Sequence, residues 1–157
     1  MSMYAEFTKD FATRTLENLY YIETAEENGE NTYEVTQLIN SFLGLIVFPQ
    51  EQDEERVCRV SIDPTILDNL RLGITENTYT GRHEEVNLQN LIYHFRNAIS
   101  HGPIKPHADK DKEISGLEFY DCNPYKKEEK FQIKVEISLL REFVRAFAKG
   151  LIKTYGD

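Results

Sequence analysis

The chain has 157 residues, of which 40% are hydrophobic and 29% charged, so its length and balance suit one globular domain with a single core. Lys plus Arg is 18 and Asp plus Glu is 27, for a formal net charge of −9. That excludes a protein that coats nucleic acid through a broad basic surface, and leaves room for a small local basic site. Two cysteines, Cys58 and Cys122, form no CxxC pair and no disulfide framework; buried small side chains in a reducing cytosol are the expectation. Met1 to Glu6 lacks a basic segment followed by an apolar one, so no secretory leader is expected. The longest apolar run, Leu43 to Phe48, is far short of the ~20 residues that span a bilayer.

In chain order, Tyr4, Phe7, Phe11, Thr15, Leu19 and Ile22 recur at helical steps and predict a first helix from about Tyr4 to Glu27. Asn28-Gly29-Glu30-Asn31 stops it. A second helix begins near Thr32, with Val35, Leu38, Ile39, Phe42 and Ile46 as its apolar stripe, and should end before Pro49. A charged loop is expected over Gln50 to Arg56, then a short extended stretch over Val57 to Ile62. Asp63-Pro64 reads as an N-cap with proline at the first helical position, opening a short third helix on Ile66, Leu67 and Leu70.

A polar stretch with Gly73 and Gly81 leads to a fourth helix from about Glu84 to His101, buried through Leu88, Leu91, Ile92, Phe95 and Ile99 and stopped by Gly102-Pro103. Lys105 to Lys112 reads as a polar, basic-leaning loop. Two alternating runs follow. Ser115, Leu117, Phe119 and Asp121 oppose Ile114, Gly116, Glu118 and Tyr120 in one; Phe131, Ile133, Val135 and Ile137 alternate with Gln132, Lys134 and Glu136 in the other. They predict a β-hairpin. A last helix, capped by Ser138, carries a wide apolar face of Leu139, Leu140, Phe143, Val144, Phe147, Leu151 and Ile152, wide enough to serve both a core and a partner chain. The expected architecture is a mainly α-helical bundle of four to five helices with one β-hairpin before the last helix, forming a single domain over 1–157.

The chemically informative segment is Leu91 to Gly102. At ~100° per residue, Asn90, His94, Asn97 and His101 form a polar stripe beside the apolar face, with Arg96 one turn before Ser100. A helix C-terminus favours a positive group, and histidine titrates near neutrality, so His101 can carry a proton there. Arginine has the planar fork of donors and permanent charge that hold a phosphate. Asn97 can orient an imidazole or donate to a phosphate oxygen. Such a set suffices for cleaving RNA when the 2′-hydroxyl is the nucleophile, and the histidines, seven apart, lack metal-ligand spacing. The bland reading of the same residues is a surface ion pair at Arg96 and a helix cap at His101.

The run Arg96-Asn97-x-x-x-His101 at the end of an apolar helix, followed by Gly102, resembles the signature of the HEPN superfamily (higher eukaryotes and prokaryotes nucleotide-binding). The segments Glu34 to Asn40 and Leu43 to Gln50, and the chain as a whole, are similar to a family of small stand-alone bacterial HEPN proteins first noted on a plasmid. The resemblance implies a helical bundle that pairs as a homodimer, with two copies of Arg96 and His101 in one composite cleft. It implies a metal-independent endoribonuclease of toxin or defence type, needing no cofactor. His101 would be acid or base, Arg96 the phosphate clamp and Asn97 the orienter. It also implies a possible nucleotidyltransferase-like antitoxin as partner, RNA as substrate, and neither DNA nor membrane. Some members keep the fold and bind RNA or nucleotide without catalysis. Others mainly assemble with a defence partner.

Around the motif, Tyr93 could stack on a base or pack at an interface, and His94, Ser100 and Lys105 are the further candidate RNA contacts. His94 reads equally as an interface residue. Acidic residues concentrate in Glu23 to Glu34 and Gln50 to Glu55. Arg96, Lys105, Lys110 and Lys112, with His101 when protonated, face only Asp109 and Asp111 in their segment. A small positive cleft with modest, placement-dependent RNA affinity is the specific expectation.

Overall fold

A computed structural model describes residues 6–156. Tyr4, proposed as the start of the first helix, lies outside the described residues. The order of elements is α1 (Phe7–Glu27), α2 (Glu34–Val57), α3 (Pro64–Leu72), β1 (Ile74–Asn77), a short 3-10 turn (Gly81–His83), α4 (Leu88–His101), β2 (Ile104–Ala108), β3 (Ile114–Cys122), β4 (Lys130–Glu136) and α5 (Ile137–Gly156). The contacts group into two compact units. Among the described residues, one holds 6–62 together with 141–156; the other holds Asp63–Leu140.

In the first unit, α2 and most of α5 pack through the predicted stripes, while α1 buries Thr8, Ala12, Thr15 and Leu19 and leaves the expected Phe7 exposed and Phe11 and Ile22 half-buried. Leu19, Leu38, Phe42, Ile46, Phe143, Phe147 and Leu151 are all buried. The Phe42 and Phe143 rings meet edge to face at 6.2 Å, and Phe143 stacks on Phe147 at 5.6 Å. The Phe11 ring of α1 lies over Gly44 of α2, where a Cβ would sit 2.9 Å from it. Arg141 bonds Glu34 through Nε at 3.1 Å and pairs with Glu23 at 3.3 Å, tying α5 to the helices before it.

Helix α2 does not stop before Pro49 as the sequence predicts. It runs on to Val57, with Pro49 buried inside it and a break at Asp53, whose backbone is non-helical (φ −161°, ψ 79°). Asp53 then accepts a hydrogen bond from the Arg56 N–H at 3.0 Å and so caps one further turn. The expected loop over Gln50 to Arg56 is therefore helical, and no strand forms over Val57 to Ile62. This extension also corrects the reading of Cys58. As the C-cap of α2 it faces solvent and is exposed, while Cys122 is half-buried.

In the second unit, Asp63 caps α3 through the Thr65 N–H at 2.9 Å, with Pro64 in the first turn as predicted. The sheet is larger than one hairpin: four antiparallel strands in the order β1-β4-β3-β2. The predicted hairpin is its centre. The two additions are its edges, where β1 replaces part of the polar stretch after Gly73 and β2 replaces part of the expected loop after Pro103. Edge strands need bury little, and an edge tolerates Pro106, so neither shows a clean alternation.

On β3 the alternation turns Leu117, Phe119 and Asp121 inward, all buried, toward α4. Phe95 of α4 meets Phe119 edge to face at 5.0 Å. Helix α4 starts at Leu88 rather than Glu84, because Asn87 is the N-cap and accepts from the Asn90 N–H at 2.9 Å. Its end abuts β3: a Cβ on Gly102 would lie 1.9 Å from the Tyr120 carbonyl oxygen. Gly102 has extended backbone (φ −102°), so glycine is required there for space and not for a left-handed turn. Among the described residues no helix is long and apolar enough to cross a membrane.

Candidate functional site

The polar stripe on α4 divides into a structural half and a half that lines a cleft. Asn90, near the start of the helix, is buried. It donates to the carbonyls of Arg82 (3.1 Å) and Glu85 (2.6 Å) and pairs with His83 Nδ1 at 3.0 Å. It thus fastens the segment before α4 to the helix, and His83 in turn stacks on Tyr93 with ring centres 3.8 Å apart.

One turn on, His94 is only 1% exposed. Its ring stacks on Phe131 at 4.0 Å and lies 4.6 Å from the Tyr79 ring. Its Nδ1 faces Asp121 Oδ2 at 2.9 Å and so carries the hydrogen, while Nε2 is buried with no hydrogen-bond partner. The proposed RNA contact at His94 is thereby placed inside the unit, beneath the cleft. Asp121, 4% exposed, also accepts from the Tyr79 hydroxyl at 2.9 Å and from Asn97 Nδ2 at 3.4 Å. Burial and the neighbouring Asp121 carboxylate push the Tyr79 hydroxyl well above its usual range, so it stays protonated and remains a donor.

Asp121 was not singled out by its residue type, yet the alternation of β3 places it on the same face as Leu117 and Phe119. A lone carboxylate on an apolar face must find donors, and those donors are the polar stripe of α4. Asn97 and His101, with Tyr93, form the α4 wall of a cleft of about 670 Å³. Asp121 and Cys122 at the end of β3, with Asn123, Pro124 and Tyr125 in the turn that follows, form the rest. His101 is exposed at the helix end and Asn97 is half-buried.

The structure brings Tyr93, Asn97 and His101 together and separates the other candidates from them. Arg96 is half-buried and lies ~140° around α4 from His101; it does not line this cleft. Ser100 is exposed on the same helix, also away from the cleft. Lys105 sits on β2 opposite Glu118 and lines a second cleft of about 210 Å³ with Pro103, Glu118, Tyr120 and Gln132. In that second cleft the hydrogen bond from His107, at 2.8 Å, holds the Glu118 carboxyl below its usual value. Among the described residues no cluster of three or more His, Cys, Asp or Glu side chains is placed to hold a metal ion.

No significant match exists among curated proteins or among solved structures. A family model described as HEPN pEK499 p136 matches residues 1–157. Both the mainly helical architecture and the Arg96-Asn97-x-x-x-His101 run at the end of α4 fit a HEPN assignment, a class of ribonuclease and nucleotide-binding modules. Over its whole length, then, the chain belongs to the HEPN pEK499 p136 family.

Proposed function

We propose that the protein is a metal-independent endoribonuclease that cuts RNA through the RNA's own 2′-hydroxyl and acts as a homodimer. The observation that carries this reading is the placing of His101 and Asn97 on one cleft, the imidazole exposed and the amide held from beneath by Asp121. In the reaction, one imidazole takes the proton of the 2′-hydroxyl as its oxygen attacks phosphorus. The bond from phosphorus to the 5′-oxygen breaks, and that oxygen takes up a proton relayed from the imidazolium through water. The products are a 2′,3′-cyclic phosphate and a 5′-hydroxyl. Asn97 orients the base or the phosphate, and an Arg96 guanidinium holds the non-bridging oxygens as charge builds on them.

A single chain keeps Arg96 off the wall that holds His101. Two copies related by a two-fold axis through α4 would supply one another's missing part: the arginine of one chain approaching the histidine of the other. The test is RNA incubated with the purified chain in EDTA. Cleavage leaving 2′,3′-cyclic phosphate ends is expected, reduced about 10²- to 10⁴-fold in His101→Ala. No cleavage, or cleavage only on adding metal, would sink the reading. The displaced position of Arg96 favours one alternative, in which an unpaired chain binds RNA or nucleotide without cutting it.

A further inference from the structure

The turn between β3 and β4 is built around two side chains. Asn123 Oδ1 accepts from the backbone N–H groups of Tyr125 (3.0 Å) and Lys126 (3.2 Å), while its Nδ2 donates to Glu129 Oε2 at 2.7 Å. Glu129, buried, also accepts from Thr80 at 2.8 Å, and its backbone N–H donates to the Lys126 carbonyl at 2.8 Å. Thr78 adds a bond to the Glu128 carbonyl at 2.6 Å. The turn is therefore fixed from both sides. Yet it holds the ring of Tyr125 94% exposed, at the edge of the cleft that contains Asn97 and His101 and next to exposed Lys126 and Lys127.

An exposed aromatic at a turn tip is ordinary when the turn is loose. Here ordering and exposure are combined, so the ring is held ready to stack with little further loss of freedom. Tyr93, on the opposite wall, already has a face covered by His83 and is the less available platform. We propose that Tyr125 is a nucleobase-stacking platform and that the cleft takes RNA as an unpaired strand, one splayed base lying on Tyr125 beside the phosphate presented to His101. Bases inside a duplex are already stacked on each other and cannot reach the ring, whereas unpaired bases stack on aromatic side chains readily. The neighbouring lysines follow the strand's phosphates. This inference rests on the reading of the cleft as the RNA site.

The test is fluorescence anisotropy with a labelled single-stranded oligoribonucleotide and the same strand annealed to its complement. The protein is full-length and carries His101→Ala so that the probe stays intact. Adding Tyr125→Ala should weaken single-strand binding about 5- to 150-fold, while Tyr125→Phe retains it, and the duplex should bind more weakly than the single strand. An unchanged melting temperature in Tyr125→Ala confirms that the exposed ring carries no folding role. Equal binding with and without Tyr125, or a duplex bound as tightly as the strand, overturns the proposal. Tyr125-dependent binding by a wild-type chain that cuts nothing upholds the platform and sinks the ribonuclease reading. Cleavage with a KM indifferent to Tyr125→Ala does the reverse. No RNA binding at all overturns both.

Discussion

Asp121 is the residue on which the candidate site is built. One carboxylate oxygen gathers the Tyr79 hydroxyl, the His94 ring and the Asn97 amide, two of which are buried. Truncation to alanine leaves the Tyr79 hydroxyl and His94 Nδ1 without their acceptor, at about 1–3 kcal/mol for each stranded group. Urea unfolding of Asp121→Ala should show a loss of that size. A change within about 0.5 kcal/mol, the usual range for a surface substitution, would mean that the cluster does not hold the fold. Because Asn97 also loses its anchor, RNA cleavage at a temperature where the variant is still folded should fall as well. The Arg96-Asn97-x-x-x-His101 run stands out in the sequence through its resemblance to a family signature, since its spacing alone also fits an ion pair and a helix cap; Asp121 does not stand out. Its importance comes from a contact between β3 and α4, residues distant in sequence, which only the alternation of β3 hinted at.

At the scale of elements, what the sequence revealed depended on how much each element buries. Helices α4 and α5 and the strands β3 and β4 bury strong stripes, and the sequence predicts them within a few residues; α1 buries mostly small side chains, Thr8, Ala12 and Thr15 with Leu19, and its predicted stripe matches that face only in part. The edge strands β1 and β2 bury little and their sequences predict loops, and the continuation of α2 through Pro49 rests on tertiary burial that outweighs proline's local cost. The β3–β4 turn offers a test of its own. Hydrogen bonds from Thr80 and then Asn123, with Lys126 nearby, hold the Glu129 carboxyl below its ordinary value of 4.5. A carboxyl with a depressed folded pKa stabilises above its unfolded value, and that stabilisation is lost as pH falls through the folded one. The melting temperature should therefore drop as pH falls below about 4.5. In Glu129→Gln, which has no proton to gain, the drop should be shallower. Two melting curves that stay parallel from pH 7 to pH 3 would show that Glu129 has no such role. Glu118 shifts in the same direction and remains in both proteins, so the comparison isolates the turn.

For the whole molecule, the net charge of −9 sets the terms on which RNA would be held under the proposed function. The acidic segments lie outside α4, and the cleft offers a motif histidine, an oriented amide and an aromatic tip rather than a broad basic face. Under that proposal, recognition depends on placement more than on bulk attraction. The ~140° between Arg96 and His101 makes the pairing of two chains the central claim. It is tested by refolding an equimolar mixture of the Arg96→Ala and His101→Ala chains together and measuring RNA cleavage in EDTA. If each centre takes its arginine from one chain and its histidine from the other, mixed dimers carry one intact centre, and activity returns to about a quarter of wild type from two inactive parents. A mixture as inactive as its parents, alongside an active wild type, would contradict the shared centre.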